Sequence, residues 1–225
     1  MNALDDAKLM VSTDGLNMWK VHHADINYYE GGDEVSYTGA NGSTIYSALG
    51  GQDAWFATGG IFKSTDNGAN WSRCTQPSGA RDVATSVYAN PTNANAVVAL
   101  WRMSDGTQRI FHSTDGGGSW SQRVLPHSGG EETRLYQVSG NTTKTNTTMV
   151  YAAGSRGLYR SSDAVTWTHV GGPGCGDWGS LHLFPAGNDA NLLFYTVWNS
   201  GNGTSDGIWR YNLAKRQLLD ETRRE

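Results

Sequence analysis

Cysteine and proline are scarce in this 225-residue chain, at two and five residues. Two cysteines support neither a disulfide framework nor a four-ligand zinc site. Charge is sparse as well, at 17% of residues with a formal net of −4 and a pI near 5.8. The basic stripe of a nucleic-acid binder is therefore missing, and no nucleic acid is expected as a partner. No apolar run approaches the roughly 18 residues that a membrane span requires. The motifs HExxH, GxSxG, the Walker loop and GxGxxG in a strand–helix context are all lacking, so no cofactor is expected. No metal is expected either, His22, His23 and His127 being read as solvated or hydrogen-bonded. What the chain does have is glycine, 29 residues, and aromatics, 11% with nine Trp. So many large side chains exclude disorder, and so many turn formers suit an all-β chain of one large or two small domains.

One pattern recurs four times: Ser12, Asp14 and Trp19; Ser64, Asp66 and Trp71; Ser113, Asp115 and Trp120; Ser161, Asp163 and Trp167. The aspartates follow one another after 52, 49 and 48 residues. A fifth, eroded copy keeps the phase, with Ile208 to Tyr211 matching Leu158 to Ser161, Ile110 to Ser113 and Ile61 to Ser64. Periods of this length with one Trp per unit mark radial β-architectures.

Each unit divides into four short strands by alternation and turn signals. The clearest unit runs Ser86 to Ala89, Ala96 to Trp101, Arg109 to His112 and Trp120 to Val124. First strands elsewhere are expected at Thr44 to Leu49, Leu135 to Val138 and Leu181 to Phe184. Second strands are expected at Ala54 to Ala57, Met149 to Ala152 and Leu192 to Val197. Residues 1–213 form the repeat domain and 214–225 a charged C-terminal tail. Within that tail Ala214 to Arg224 looks helical, or else supplies a last outer strand.

The recurring motif has a mechanical explanation. Serine hydroxyl and aspartate carboxylate can bond backbone N–H groups across a tight hairpin turn. Gly68 and Gly118 are read as equivalent corner positions that permit φ > 0. The Trp opens the outer strand and covers apolar surface between neighbouring units. Asp14, Asp66, Asp115 and Asp163 are thus structural, since each motif offers one carboxylate where calcium wants several oxygens. Trp19, Trp71, Trp120 and Trp167 are structural with them.

The pattern Ser-x-Asp-x-Gly-x-x-Trp resembles the Asp-box, or bacterial neuraminidase repeat, over nearly the whole length. That motif is found in sialidases, glycoside hydrolase family 74 xyloglucanases, sortilin-type receptors and photosystem II assembly factors. The phrase from Tyr88 to Ala99, leading to Ile110 through Trp120, is most similar to the xyloglucanase and assembly-factor branch. The resemblance implies a β-propeller of about four to five four-stranded blades. Two departures stand out: the fourth motif is one residue shorter and lacks Gly, and the fifth position has Tyr211 without Asp or Trp. Residues 9–23 supply only two strands, so a partial propeller is expected, completed by a longer chain, by another propeller domain or by a second copy. Five blades are reached if the tail, or Asp25 to Ser36, contributes further strands.

Up-and-down connectivity puts the Ser-x-Asp turns on one face. The inter-blade loops, His22 to Ser43, Cys74 to Thr85, Val124 to Arg134 and Val170 to Ser180, lie on the other. Loops joining second to third strands share that second face, where binding groups belong. Glycosidases place two carboxyl groups about 5–9.5 Å apart across the scissile bond. Asp177, Glu131 and Glu30 are the candidates, with Trp178, Trp198 and Trp101 as stacking platforms and Arg134 as a polar contact. Arg81, Arg134 and Arg156 share the face, but the early Arg-Ile-Pro strand of sialidases is missing. Cys74 and Cys175 are expected as two free or buried thiols. No signal peptide is visible, while acceptor patterns at Asn41, Asn70, Asn141, Asn146 and Asn202 and the resemblance itself point to an extracellular or lumenal protein. The function expected is glycoside hydrolysis of a β-glucan or xyloglucan. The alternative is a non-catalytic glycan- or protein-binding propeller.

Overall fold

The computed structural model describes residues 10–11, 20–21, 34–38, 43–49, 59–140, 149–172, 180–185, 192–198, 207–212, 215 and 217–220. All regular structure among them is β. A two-stranded hairpin, β1 (Met10–Val11) with β2 (Lys20–Val21), brackets the first Ser-x-Asp motif. The first four-stranded sheet follows: β3 (Glu34–Thr38), β4 (Thr44–Leu49), β5 (Gly60–Ser64) and β6 (Ser72–Arg73). The second holds β7 (Ala80–Asn90), β8 (Asn93–Met103), β9 (Gln108–Ser113) and β10 (Ser121–Arg123). A small hairpin, β11 (Pro126–His127) with β12 (Gly130–Glu131), sits in the next connection. The third sheet is β13 (Leu135–Gly140), β14 (Val150–Gly154), β15 (Gly157–Ser161) and β16 (Thr168–Gly171). The fourth is β17 (Ser180–Pro185), β18 (Leu192–Trp198), β19 (Gly207–Asn212) and β20 (Gln217–Asp220).

Every sheet is antiparallel with its strands in chain order. Three apolar seams join them face to face. Tyr46, Ile61, Val87 and Trp101 fill the seam between the first and second sheets. Leu100, Ile110, Leu135 and Trp167 fill the second seam, and Tyr151, Leu158, Leu193 and Tyr195 the third. Inner strands also bond across the seams. Ser86 Oγ in β7 donates to the Val138 carbonyl at 3.2 Å and accepts from its N–H at 2.9 Å, and Gln137 in β13 accepts from the Leu183 N–H in β17. A second strand is covered on both sides, which is why Val97 to Trp101 and Val150 to Gly154 are buried at every position. Such strands read as unbroken apolar runs rather than alternating ones. The far face of the fourth sheet differs: Phe184 and Ile208 are 53% and 47% exposed.

The structure corrects three readings. Thr44–Leu49 is a second strand, not a first, because β3 precedes it and pairs Tyr37 with Ile45. β3 therefore lies inside the stretch His22 to Ser43 that reads as loop, and the equivalent stretch from Cys74 already enters β7 at Ala80. The helical look of Ala214 to Arg224 gives way to the alternative reading, a last outer strand: β20 pairs Leu218 with Tyr211 and Leu219 with Arg210. Ala54 to Ala57 lies outside the described residues.

Candidate functional site

Two faces follow from this connectivity, and their chemistry differs. On one lie the Ser-x-Asp turns. In the second motif Ser64 Oγ donates to Asp66 Oδ1 at 2.8 Å and accepts from the Gly68 N–H at 2.8 Å. Asp66 also accepts from the Asn70 N–H at 2.8 Å and from Asn70 Nδ2 at 2.6 Å. The third motif repeats this with Ser113, Asp115, Gly117 and Ser119. In the fourth, Asp163 Oδ1 accepts from Ser161 Oγ and from the N–H groups of Val165 and Thr166. The corner equivalence needs correction: Gly68, at φ 85°, matches Gly117, at φ 88°, and not Gly118.

Two of the three described indoles reach a neighbouring unit, and Trp71 bonds within its own turn. Trp71 Nε1 donates to the Gly68 carbonyl at 3.0 Å and Trp120 Nε1 to the Thr75 carbonyl at 2.7 Å, while Trp167 is buried in the second seam. Each stands one residue before its outer strand. Asp14 and Trp19 lie outside the described residues.

These donors hold the pKa values of Asp66, Asp115 and Asp163 at about 2, against an ordinary 3.8. The leading cause is the Asn70 N–H for Asp66, the Ser119 hydroxyl for Asp115 and the Thr166 N–H for Asp163. A carboxyl whose folded pKa is depressed stabilises the fold above its unfolded pKa, and that contribution is lost as pH falls toward the folded value. Urea midpoints should therefore drop between about pH 4 and pH 2. A chain carrying Asp66→Asn, Asp115→Asn and Asp163→Asn should show a shallower fall across that window and a lower midpoint at pH 7. An equally steep fall would show that the turns do not carry the acid sensitivity.

The opposite face carries the inter-sheet loops, and there the charged groups meet one another. Arg109, at the start of β9, pairs through Nη1 with Glu131 Oε2 at 2.9 Å and lies 3.9 Å from Asp105 Oδ2. Asp105 in turn accepts from the N–H and hydroxyl of Thr107. Loops are tied to loops here: the Gln108 N–H donates to the Thr133 carbonyl and the Ser155 N–H to the Arg134 carbonyl, both at 2.9 Å. Arg81, Arg134 and Arg156 are exposed on this face, and Arg81 Nη2 reaches the Ser104 carbonyl at 3.2 Å.

Glu132, one residue beyond the candidate Glu131, is only 3% exposed. Its carboxyl accepts from the Arg134 N–H at 3.0 Å, the Arg156 N–H at 2.9 Å, the Ser155 hydroxyl at 3.1 Å and the Tyr159 hydroxyl at 3.4 Å. It pins the second-to-third inter-sheet loop onto the β14–β15 turn. Gly154 makes room: a Cβ there would stand 2.8 Å from Glu132 Cγ. Burial first, and Glu132 second, raise the Tyr159 pKa above its ordinary value. Sequence reasoning places Glu132 in this loop beside Glu131 without singling it out; the signal was the glycine pair Gly154 and Gly157 flanking the turn.

Of the sequence candidates, Trp101 is corrected outright. It is 0% exposed and packs edge-on against Trp120, ring centroids 6.1 Å apart, inside the first seam. An indole with no accessible surface cannot stack on a sugar. Glu131 and Arg134 do stand on the loop face. Trp198 closes β18 opposite Ser180. Glu30, Asp177 and Trp178 lie outside the described residues, as does Cys175. Cys74 is a free thiol, half-buried beneath Gly117, and burial pushes its pKa up to about 11.

With the geometry in place, solved structures show what this build is. A GH74 enzyme of Niastella koreensis superposes with a TM-score of 0.60 at 19% identity, covering 83% of this chain and 29% of that one. An ancestral GH74 enzyme gives 0.58 at 17%, covering 91% and 27%. YCF48 from Cyanidioschyzon merolae gives 0.50 at 16%, covering 95% and 64%. The fold is a β-propeller. The chain accordingly spans under a third of the length of the two enzymes and under two thirds of YCF48. No protein-family model and no curated protein matches it. Among the described residues the propeller has four four-stranded blades preceded by one hairpin, and no described helix is long and apolar enough to cross a membrane.

Proposed function

We propose that the chain is the glycan-engaging part of a glycoside-hydrolase-like propeller, acting extracellularly or in a lumen on a β-glucan or xyloglucan-type polysaccharide. The supporting observation is the contrast between its faces. Carboxylates of the turn face are consumed within their own turns, whereas the loop face presents exposed Arg81, Arg134 and Arg156 together with the Arg109–Glu131 pair. In this reading Asp177 and a carboxylate from another loop, Glu131 or Glu30, act as acid and base. Such a pair must span about 5–9.5 Å across the glycosidic bond. Trp178 and Trp198 stack on sugar rings, and Arg134 bonds sugar hydroxyls. Another propeller domain or a second copy completes the cleft.

Release of reducing ends from xyloglucan and a mixed glycan panel tests this. Asp177→Ala should lower release by about 10²–10⁴-fold, the range for losing a general acid or base, with the fold unchanged by circular dichroism. One observation favours a second reading, recognition without cleavage: Glu131 is already committed to Arg109 at 2.9 Å. That reading expects glycan retention without release, lost in Trp178→Ala. A folded chain that neither binds nor cleaves any glycan of the panel defeats both.

A further inference from the structure

The four sheets carry one pattern on the face turned toward the following blade. Tyr46 and Ala48 of β4 stand in register with Lys63 and Ile61 of β5. Val98 and Leu100 stand with His112 and Ile110 in the second sheet, and Tyr151 and Ala153 with Arg160 and Leu158 in the third. The fourth sheet repeats it, with Phe194 and Thr196 opposite Arg210 and Ile208. In the first three sheets the next blade covers this face and leaves Ile61, Ile110 and Leu158 at most 1% exposed. Ile208, at the same register position, is 47% exposed, and Phe184, paired with Phe194, is 53% exposed. An aliphatic residue in water where its three counterparts are dry marks an interface.

The basic residue of the pattern reaches the Ser-x-Asp turn of the blade that follows. A Cβ on Gly116, the third residue after Ser113, would stand 2.6 Å from Lys63 Nζ and 3.0 Å from the Tyr46 hydroxyl. That hydroxyl donates to the Ala94 carbonyl of the same following blade at 2.8 Å. At the next seam His112 shares a cavity wall with Ala164, the third residue after Ser161. The third turn residue is thus the seat of the incoming side chain, and a small residue there makes the room. By the phase of the repeat, Ala214 falls to Arg160 and the larger Asn67 to the shorter Val11. Gly15, the third residue after Ser12, and Arg210 are the two positions that remain. A long cation with a glycine is the combination that Lys63 and Gly116 already show.

The β1–β2 hairpin holds the third and outer strand positions of such a blade. Met10 and Val11 pair with Val21 and Lys20 as Phe62 and Lys63 pair with Arg73 and Ser72. We propose that the far face of the fourth sheet docks the N-terminal unit of a second copy of this chain, head to tail, with Arg210 entering the turn at Gly15. The occupant is another molecule because Phe184 and Ile208 are exposed in the folded single chain. The contact is heterologous, so each molecule has one surface to give and a different one to receive. Apolar burial drives it and the fit at the turn sets its register. It is independent of glycan engagement, which concerns the loop face.

Sedimentation velocity of the full chain over a wide range of concentration tests this, and the mass should grow beyond that of one chain. Ile208→Glu should weaken association by at least about tenfold, since a carboxylate would be buried against apolar surface. Phe184→Ser should do the same if that variant fails to fold. Gly15→Asn should weaken association by about threefold or more, and asparagine is tolerated in this turn, as Asn67 at φ 59° shows. Adding Arg210→Val to Gly15→Asn recreates the combination of Val11 with Asn67 and should restore association. Mixing the Ile208→Glu and Gly15→Asn chains should restore one full-strength contact, because each keeps the surface that the other lacks. A chain of constant single-copy mass, undiminished association in Ile208→Glu and Phe184→Ser, or no recovery on mixing would overturn the proposal; the last would mark a symmetric contact between two fourth sheets. Association without glycan binding or cleavage leaves it standing and defeats only the glycan reading.

Discussion

Truncating Trp101 to alanine is expected to lower the unfolding free energy by about 3–5 kcal/mol, the range for deleting a buried indole. Its side chain is wholly buried in the first seam, in the company of Tyr46, Ile61 and Phe111. A Cβ on Gly60 would already lie 3.2 Å from Trp101 Cη2, so the surroundings are tight on that side and a large void would follow truncation. Trp101→Phe should cost less, about 1–2 kcal/mol. Its smaller cavity is partly offset by removing an indole N–H that is buried without a partner among the described residues. Urea unfolding followed by tryptophan fluorescence and circular dichroism measures both. If Trp101→Ala instead keeps full stability while glycan retention collapses, the residue is a sugar platform after all and the seam assignment is wrong.

The second large effect falls on the loop face. Glu132→Ala should cost about 2–4 kcal/mol, because two backbone N–H groups and a serine hydroxyl lose their acceptor. Glu131→Ala, one residue earlier, should cost under about 1 kcal/mol, since its pair with Arg109 is partly solvated. Their side chains are 3% exposed as a residue in one case and 26% exposed in the other. The contrast between neighbours is the discriminating measurement: equal losses would mean that the carboxyl of Glu132 does not pin the two loops together.

The turn geometry was legible because it is local. Serine, aspartate, glycine and tryptophan of one motif meet within eight residues, so the hydrogen bonds that hold the turn are written in consecutive sequence. Doubly covered strands were legible too, since Val97 to Trp101 is apolar throughout. The same run should have marked Trp101 as core rather than surface. β3 was hidden because Val35 and Tyr37 are its only large apolar residues, flanked by acidic and polar neighbours. β20 stood as one of two readings because Leu218 and Leu219 among charges satisfy a helical pattern as well as a strand, and only pairing with β19 decides. Glu131 and Glu132 could not be told apart from sequence: which of two adjacent carboxyls turns inward depends on the two-residue strands of β11–β12 and on a glycine more than 20 residues away.

Phe184 and Ile208 have one more consequence. Where the three earlier blades hand their far faces to a neighbour, the fourth displays aromatic and aliphatic carbon to water. Handled alone, this polypeptide has an adhesive end, and salting-out conditions will favour self-association through it.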